Sequence, residues 1–151
     1  MAFSQLTITR DDIDAFESLT FSGVDITAPG SQVNLSESDG LMVDKAIKML
    51  KTDILEELRS YINDETYATE EDLLDAIYAV DSEDLLKDVL VYKFFEIWFS
   101  QDATHTDSYS YVKAGKYHRM YVQYLRANLR RLSGLLQKPK TVQRVRWISA
   151  Y

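Results

Sequence analysis

Asp84–Phe99, DLLKDVLVYKFFEIWF, is the stretch whose reading decides the fold. Eleven of its sixteen residues are apolar or aromatic, and it holds no Gly or Pro. At 100° per residue its polar positions do not form one stripe. Asp84, Lys87 and Asp88 share one side; Lys93, Glu96 and Ser100 share roughly the opposite side. A helix that changes its polar side along its length is covered from different directions, as a central helix is and a surface helix is not. Val, Tyr, Phe and Trp also favour strands, but an unbroken run of this length exceeds ordinary strands. The stretch is read as a central core helix, with Trp98 and the Phe residues as packing.

Before this helix, Thr69-Glu70-Glu71-Asp72 opens a short helix carrying Leu73, Leu74, Ile77 and Tyr78, and Asp81 with Ser82 ends it and caps the central one. Further back, Ser36-Glu37-Ser38-Asp39 is a capping signal. Behind it Val43, Ile47, Leu50, Ile54, Leu58 and Tyr61 recur at intervals of three and four, which predicts an amphipathic helix over 37–62. Thr9-Arg10-Asp11-Asp12 caps a short helix near 10–19, and residues 1–8 hold a short extended piece around LTI. Residues 20–35, with Gly23, Pro29 and Gly30, read as a long loop, either interfacial or a linker. After the central helix, residues 100–108 form a polar turn. A second long helix spans 108–137, with Tyr117, Tyr121, Tyr124, Leu125, Asn128, Leu132 and Leu135 inward and Gly115 at a bend or a close approach. Pro139 stops it. Residues 140–151, KTVQRVRWISAY, read as an extended arm or strand that needs a partner to pair its backbone. The fold class is therefore all-α: a four- to five-helix bundle (1–137) with a long N-terminal loop and an extended C-terminal arm (138–151).

A chain of 151 residues can bury a real core. No apolar run reaches the roughly 20 residues that cross a bilayer, and MAFSQLTITR lacks a signal-peptide layout, so a soluble cytoplasmic protein is expected. Cysteine is absent and only His105 and His118 carry imidazoles, which removes thiolate chemistry and most zinc sites. There is no Gly-rich phosphate loop, no nucleophile elbow and no H-E-x-x-H. Asp88 and Glu96 come closest to carboxylates isolated in apolar sequence, and each is expected to cap, pair or reach solvent. His118 reads as one more polar-face residue beside Lys116 and Arg119. The acids at 70, 71, 72 and 75 lack a calcium-loop layout and suit a helix N-terminus. No enzyme, metal or cofactor is expected.

Charge is segregated. Residues 1–110 hold all 24 acidic residues and 7 of the 17 basic ones, a net −17. Residues 111–151 hold the other 10 basic residues and no acid, a net +10, which together make the −7 of the chain. Three partners fit the basic segment. Arg126, Arg130 and Arg131 with interleaved tyrosines suit nucleic acid. The same residues suit the acidic side of a second copy, head to tail. They also suit acidic helices of the same chain. Against nucleic acid, the −17 would repel a polyanion wherever it came close.

The capped helix 37–62, the short acidic helix 70–79, the central LLKDVLVYKFFEIWF helix, the Tyr- and Arg-bearing helix 109–136 and the C-terminal arm together resemble the adaptor, or head–tail connector, proteins of tailed bacteriophages. The resemblance covers residues 37–151 and rests on pattern; the loop at 20–35 has no counterpart in it. It implies a homo-oligomeric, dodecameric ring in the neck of the virion, assembled in the host cytoplasm, docked under the portal protein and bound to a tail or neck protein on the other side. DNA would pass through the lumen without sequence recognition, and acids such as Glu70, Glu71 and Asp72 would line or rim the channel. The portal-contacting arm would be Val142 to Tyr151, anchored by Arg144, Arg146 and Trp147, with Val145 and Ile148 beside them. Deleting 139–151 should leave a folded chain, by circular dichroism, that no longer joins its partner in mass photometry; a truncated chain that still assembles would remove the arm from the contact.

Overall fold

The computed structural model describes residues 2–13, 15, 37–102 and 109–137. Its elements are a 3-10 turn at Phe3–Gln5, a helical turn at 10–13, α1 (Glu37–Glu57) with a 3-10 turn at Arg59–Tyr61, α2 (Glu70–Val80), α3 (Leu85–Asp102) and α4 (Tyr109–Ser133). The chain is an all-α bundle, and no strand occurs among the described residues. The long loop at 20–35 and the arm at 138–151 lie outside the described residues.

α3 is the centre. Every residue from Val89 to Phe95 is buried, so nearly two turns are enclosed on all sides. Each fully buried Leu, Val or Phe contributes about 1.5–3 kcal/mol relative to exposure. α4 packs along one side of α3 and α1 along another. The α3–α4 seam is aromatic: Tyr117 stacks on Phe95 at 4.9 Å and on Phe99 at 5.8 Å. Tyr124 leans on Tyr92 at 5.3 Å.

The caps fix where the helices begin. Asp81 accepts the Leu85 amide on Oδ1 and the Leu86 amide on Oδ2, both at 2.9 Å, and so satisfies two orphan donors of α3. Thr69 Oγ1 accepts the Asp72 amide at 3.1 Å above three first-turn acids. Thr9 and Asp12 form a reciprocal capping box: the Thr9 amide donates to Asp12 Oδ2 at 2.8 Å, and the Asp12 amide to Thr9 Oγ1 at 3.4 Å. Leu6 and Ile8 are buried and Thr7 and Thr9 exposed, so the LTI piece alternates as an extended segment does. The Phe3 amide donates to Asp75 Oδ1 on α2 at 2.8 Å, and Lys87 Nζ lies 3.5 Å from Asp12 Oδ2, which ties the N-terminal segment to α2 and α3.

Three expectations are corrected. α1 ends at Glu57, not at 62, because Asn63 builds its own turn: its Oδ1 accepts the amides of Glu65 at 2.9 Å and Thr66 at 2.8 Å. α4 ends at Ser133, not at 137; the last amides bond three residues back, Leu135 to Leu132 and Leu136 to Ser133. Its inward row is Tyr117, Tyr121, Leu125, Leu129, Leu132 and Leu136. Tyr124 is 46% and Leu135 62% exposed. Tyr124 lies beside the buried row, where its ring packs and its hydroxyl meets water. Leu135 and Leu136 both follow the helix end, where the tighter turn buries Leu136 and leaves Leu135 outside. Asn128 sits half-buried at the edge, and its Nδ2 donates to Leu85 O at 3.5 Å.

Asp84 holds φ at 55°, in the left-handed region that costs any residue but Gly. Its charge also adds, after partial burial, to the causes that raise the Asp88 carboxyl above its usual range, with Asp81 and Asp12 behind it. Asp88 remains an exposed residue, so water screens much of this repulsion. A carboxyl raised in the folded state opposes folding only when ionised, so its cost is absent at low pH and grows as pH rises through its titration. Asp84→Gly should therefore raise the melting temperature at neutral pH, by an amount equivalent to roughly 0.5–1 kcal/mol, with a smaller gain under acid conditions; a lower melting temperature at neutral pH would contradict the strain.

Candidate functional site

Two polar positions of α3 fall where α1 and α4 approach it. Lys93 is 4% exposed, and two groups hold its ammonium. Its Nζ donates to Glu96 Oε2 at 3.0 Å and Oε1 at 3.2 Å, and sits 4.1 Å above the centre of the Tyr121 ring. Tyr121 Oη donates to Asp53 Oδ2 on α1 at 2.5 Å. Glu96 Oε1 lies 2.8 Å from His118 Nδ1 on α4. One cluster therefore links α1, α3 and α4.

Burial, then the hydrogen bond to Asp53, pushes the Tyr121 phenol above its ordinary range, so it stays a donor at any physiological pH. Lys93 is engaged by carboxylate and ring, and no Ser, Thr or Cys nucleophile sits within the cluster. No group of three or more His, Cys, Asp or Glu able to hold a metal ion occurs among the described residues. The cluster stitches α1, α3 and α4 together.

Around it lie three open hollows that share His118. One, about 350 Å³, runs between α1 and α4 and is lined by Met49, Asp53, Glu56 and Glu57 on one side and His118, Val122 and Arg126 on the other, with Lys93 at its floor. A second, about 500 Å³, lies on the outer face of α4 among Arg119, Gln123, Arg126, Ala127 and Arg130. The third, about 660 Å³, is bordered by Glu96, Ser100, Tyr111, Val112 and Gly115. No close approach requires Gly115: an added Cβ would meet only Arg119 Nη1, at an ordinary 3.6 Å.

The structure divides the basic residues singled out from sequence. Arg131 pairs with Glu83 of the same chain, so it follows the intramolecular reading. Arg126 and Arg130 are exposed, and among the described residues they make no ion pair. Val142, Arg144, Val145, Arg146, Trp147, Ile148 and Tyr151 lie outside the described residues. The tyrosines interleaved with the basic residues are partly used inside the fold. Tyr117 and Tyr121 are each 2% exposed, and Lys113 and Lys116 lie 5.9 and 5.4 Å from the Tyr117 ring. A ring buried in the core offers no face to a nucleic-acid base.

His118 is exposed, as a polar-face residue should be, but it is also tied to Glu96. Glu96 pairs, as expected. The buried state of Lys93 was not legible: only its i,i+3 spacing to Glu96 inside an apolar run hinted at a pair. The fold and site define a helical-bundle protein with a structural polar cluster and an open, charged face. Compared with protein-family models, characterised sequences and solved structures, the chain matches none.

Glu96→Leu strands the Lys93 ammonium in the core and should cost about 3–5 kcal/mol of stability in urea unfolding. Lys93→Met leaves Glu96 near the surface beside His118 and should cost less than about 1.5 kcal/mol. Equal losses for the two variants would show that Lys93 keeps water as a partner.

Proposed function

We propose that this chain is a non-enzymatic structural subunit: a ring-forming adaptor of the head–tail connector kind, linking a capsid portal to a tail or neck protein and enclosing a channel for DNA. The observation that carries the reading is the exposed pair Arg126 and Arg130, without an ion pair among the described residues, on a chain whose first 110 residues are net −17. Charge displayed on a rigid helix and left uncompensated by its own domain suits a contact with another molecule. In this reading the body 1–137 forms the ring wall and the arm 142–151 pairs with the portal, with Arg144, Arg146 and Trp147 as anchors. The site of action is the virion neck, reached from the host cytoplasm during assembly. No helix among the described residues is long and apolar enough to cross a membrane.

The open hollows support binding of a surface more than of a small molecule, which takes a concave site that encloses most of it. A nucleic-acid-binding regulator using the basic residues of 111–151 is the second reading; the exposed Arg119, Arg126 and Arg130 favour it, and the burial of Tyr117 and Tyr121 weakens it.

Electron microscopy of the full chain mixed with a candidate portal tests the proposal. A ring of this chain beneath the portal is the expected result. A portal that stays bare at excess chain, together with a gel shift on DNA that falls steeply with salt, would replace the adaptor with the regulator.

A further inference from the structure

We propose that the strip formed by α1 and α4 is a self-docking face, on which a second copy of this chain seats as a twofold pair. The strip carries two rows of opposite sign. Asp53, Glu56 and Glu57 form an acidic edge on α1, and Arg119, Arg126 and Arg130 form a basic edge on α4. α3 lies beneath and between, with Lys93 at the floor of the groove, and it holds the edges apart. Among the described residues neither row makes an ion pair; Arg126 lines the groove opposite the acids, and Arg119 and Arg130 flank it on the outer face of α4. Glu56, Glu57, Arg119, Arg126 and Arg130 are all exposed.

Geometry selects the occupant. A twofold axis lying along the groove places the acidic edge of each copy over the basic edge of the other, so both rows are neutralised at once. Met49, 38% exposed, and half-buried Val122 lie between the rows and supply apolar contact at the centre of the pair. Arg126 and Arg130 stand at i,i+4, where like charges repel, and carboxylates set above them relieve that repulsion. A nucleic acid would satisfy the arginines, but at Arg126 its phosphates would come up against Glu56 and Glu57 of the same groove. An acidic peptide would leave the α1 row as it is. A second copy is the partner that answers both edges.

The inference goes beyond the adaptor reading. A cyclic ring is built from head-to-tail contacts, so the twofold pair is a state of the free chain and stands or falls without a portal. Sedimentation equilibrium of the full chain alone, over a concentration series at low and high salt, tests it. The expected result is a monomer–dimer equilibrium that weakens as salt rises. Arg126→Glu with Arg130→Glu should abolish the dimer, and so should Glu56→Lys with Glu57→Lys; Asp53 is left in place because it holds Tyr121. An equimolar mixture of the two double variants should restore a dimer, since each then carries the charges the other lacks. Circular dichroism confirms that each variant is folded, and if one is not, the salt series on the unaltered chain decides alone. A chain that stays monomeric at every concentration, a dimer indifferent to salt, or folded variants that ignore each other when mixed would overturn the proposal. So would a monomer that binds single-stranded DNA through Arg126 and Arg130, which would assign the basic edge to nucleic acid.

Discussion

A helix that is apolar on every side must be covered on every side, and α3 imposes that demand on the rest of the chain. Residues 89–95 leave no face for water, so α1 and α4 must flank the helix, while the N-terminal turn packs against α2. Leu6, Ile8 and Ile13, outside any long helix, join the same buried core. The caps serve the same end. Asp81 fixes the first turn of α3, and with it the register in which Val89, Leu90 and Phe94 meet their neighbours. The cost of enclosure is that any polar side chain on α3 needs a partner inside the fold. Lys93 has two such neighbours, the Glu96 carboxylate on α3 and the Tyr121 ring on α4.

The same enclosure explains where charge goes. α1 and α4 turn their apolar rows to α3 and leave their outer edges to water, and at the groove between them α1 presents acids and α4 Arg126. Part of this is local: acids gather at the start of α2, and Arg130 and Arg131 in the last turn of α4, where the helix dipole favours each. Arg119 and Arg126 lie in the body of α4 and owe nothing to its dipole. Arg126 lines a groove opposite Glu56 and Glu57, and Arg119 flanks it on the outer face of α4.

The all-α class, the central helix and the three caps at Thr9, Thr69 and Asp81 were legible in the sequence, because each follows from contacts within a few residues. Helix ends were less so. Asn63 competes with α1 through hydrogen bonds to two amides, and a periodic apolar pattern does not register that competition. The inward face of α4 falls one residue later than expected at two places, Leu129 for Asn128 and Leu136 for Leu135, and Tyr124 lies beside the row. The polar cluster was hidden for a different reason. Asp53 and Tyr121 are 68 residues apart in the chain, and only tertiary packing brings them together. Among the basic residues, the sequence marked Arg126, Arg130 and Arg131 alike; the fold separates them, because Glu83 lies within reach of Arg131.

Native-state hydrogen exchange, resolved by residue, tests most directly whether α3 is the element on which the molecule is built. Amides of 86–99 should exchange slowest and only through global unfolding, so their opening free energy should equal that from urea unfolding. Exchange of α3 through a cheaper local opening, with α1 or α4 still protected, would show that the organising core lies elsewhere.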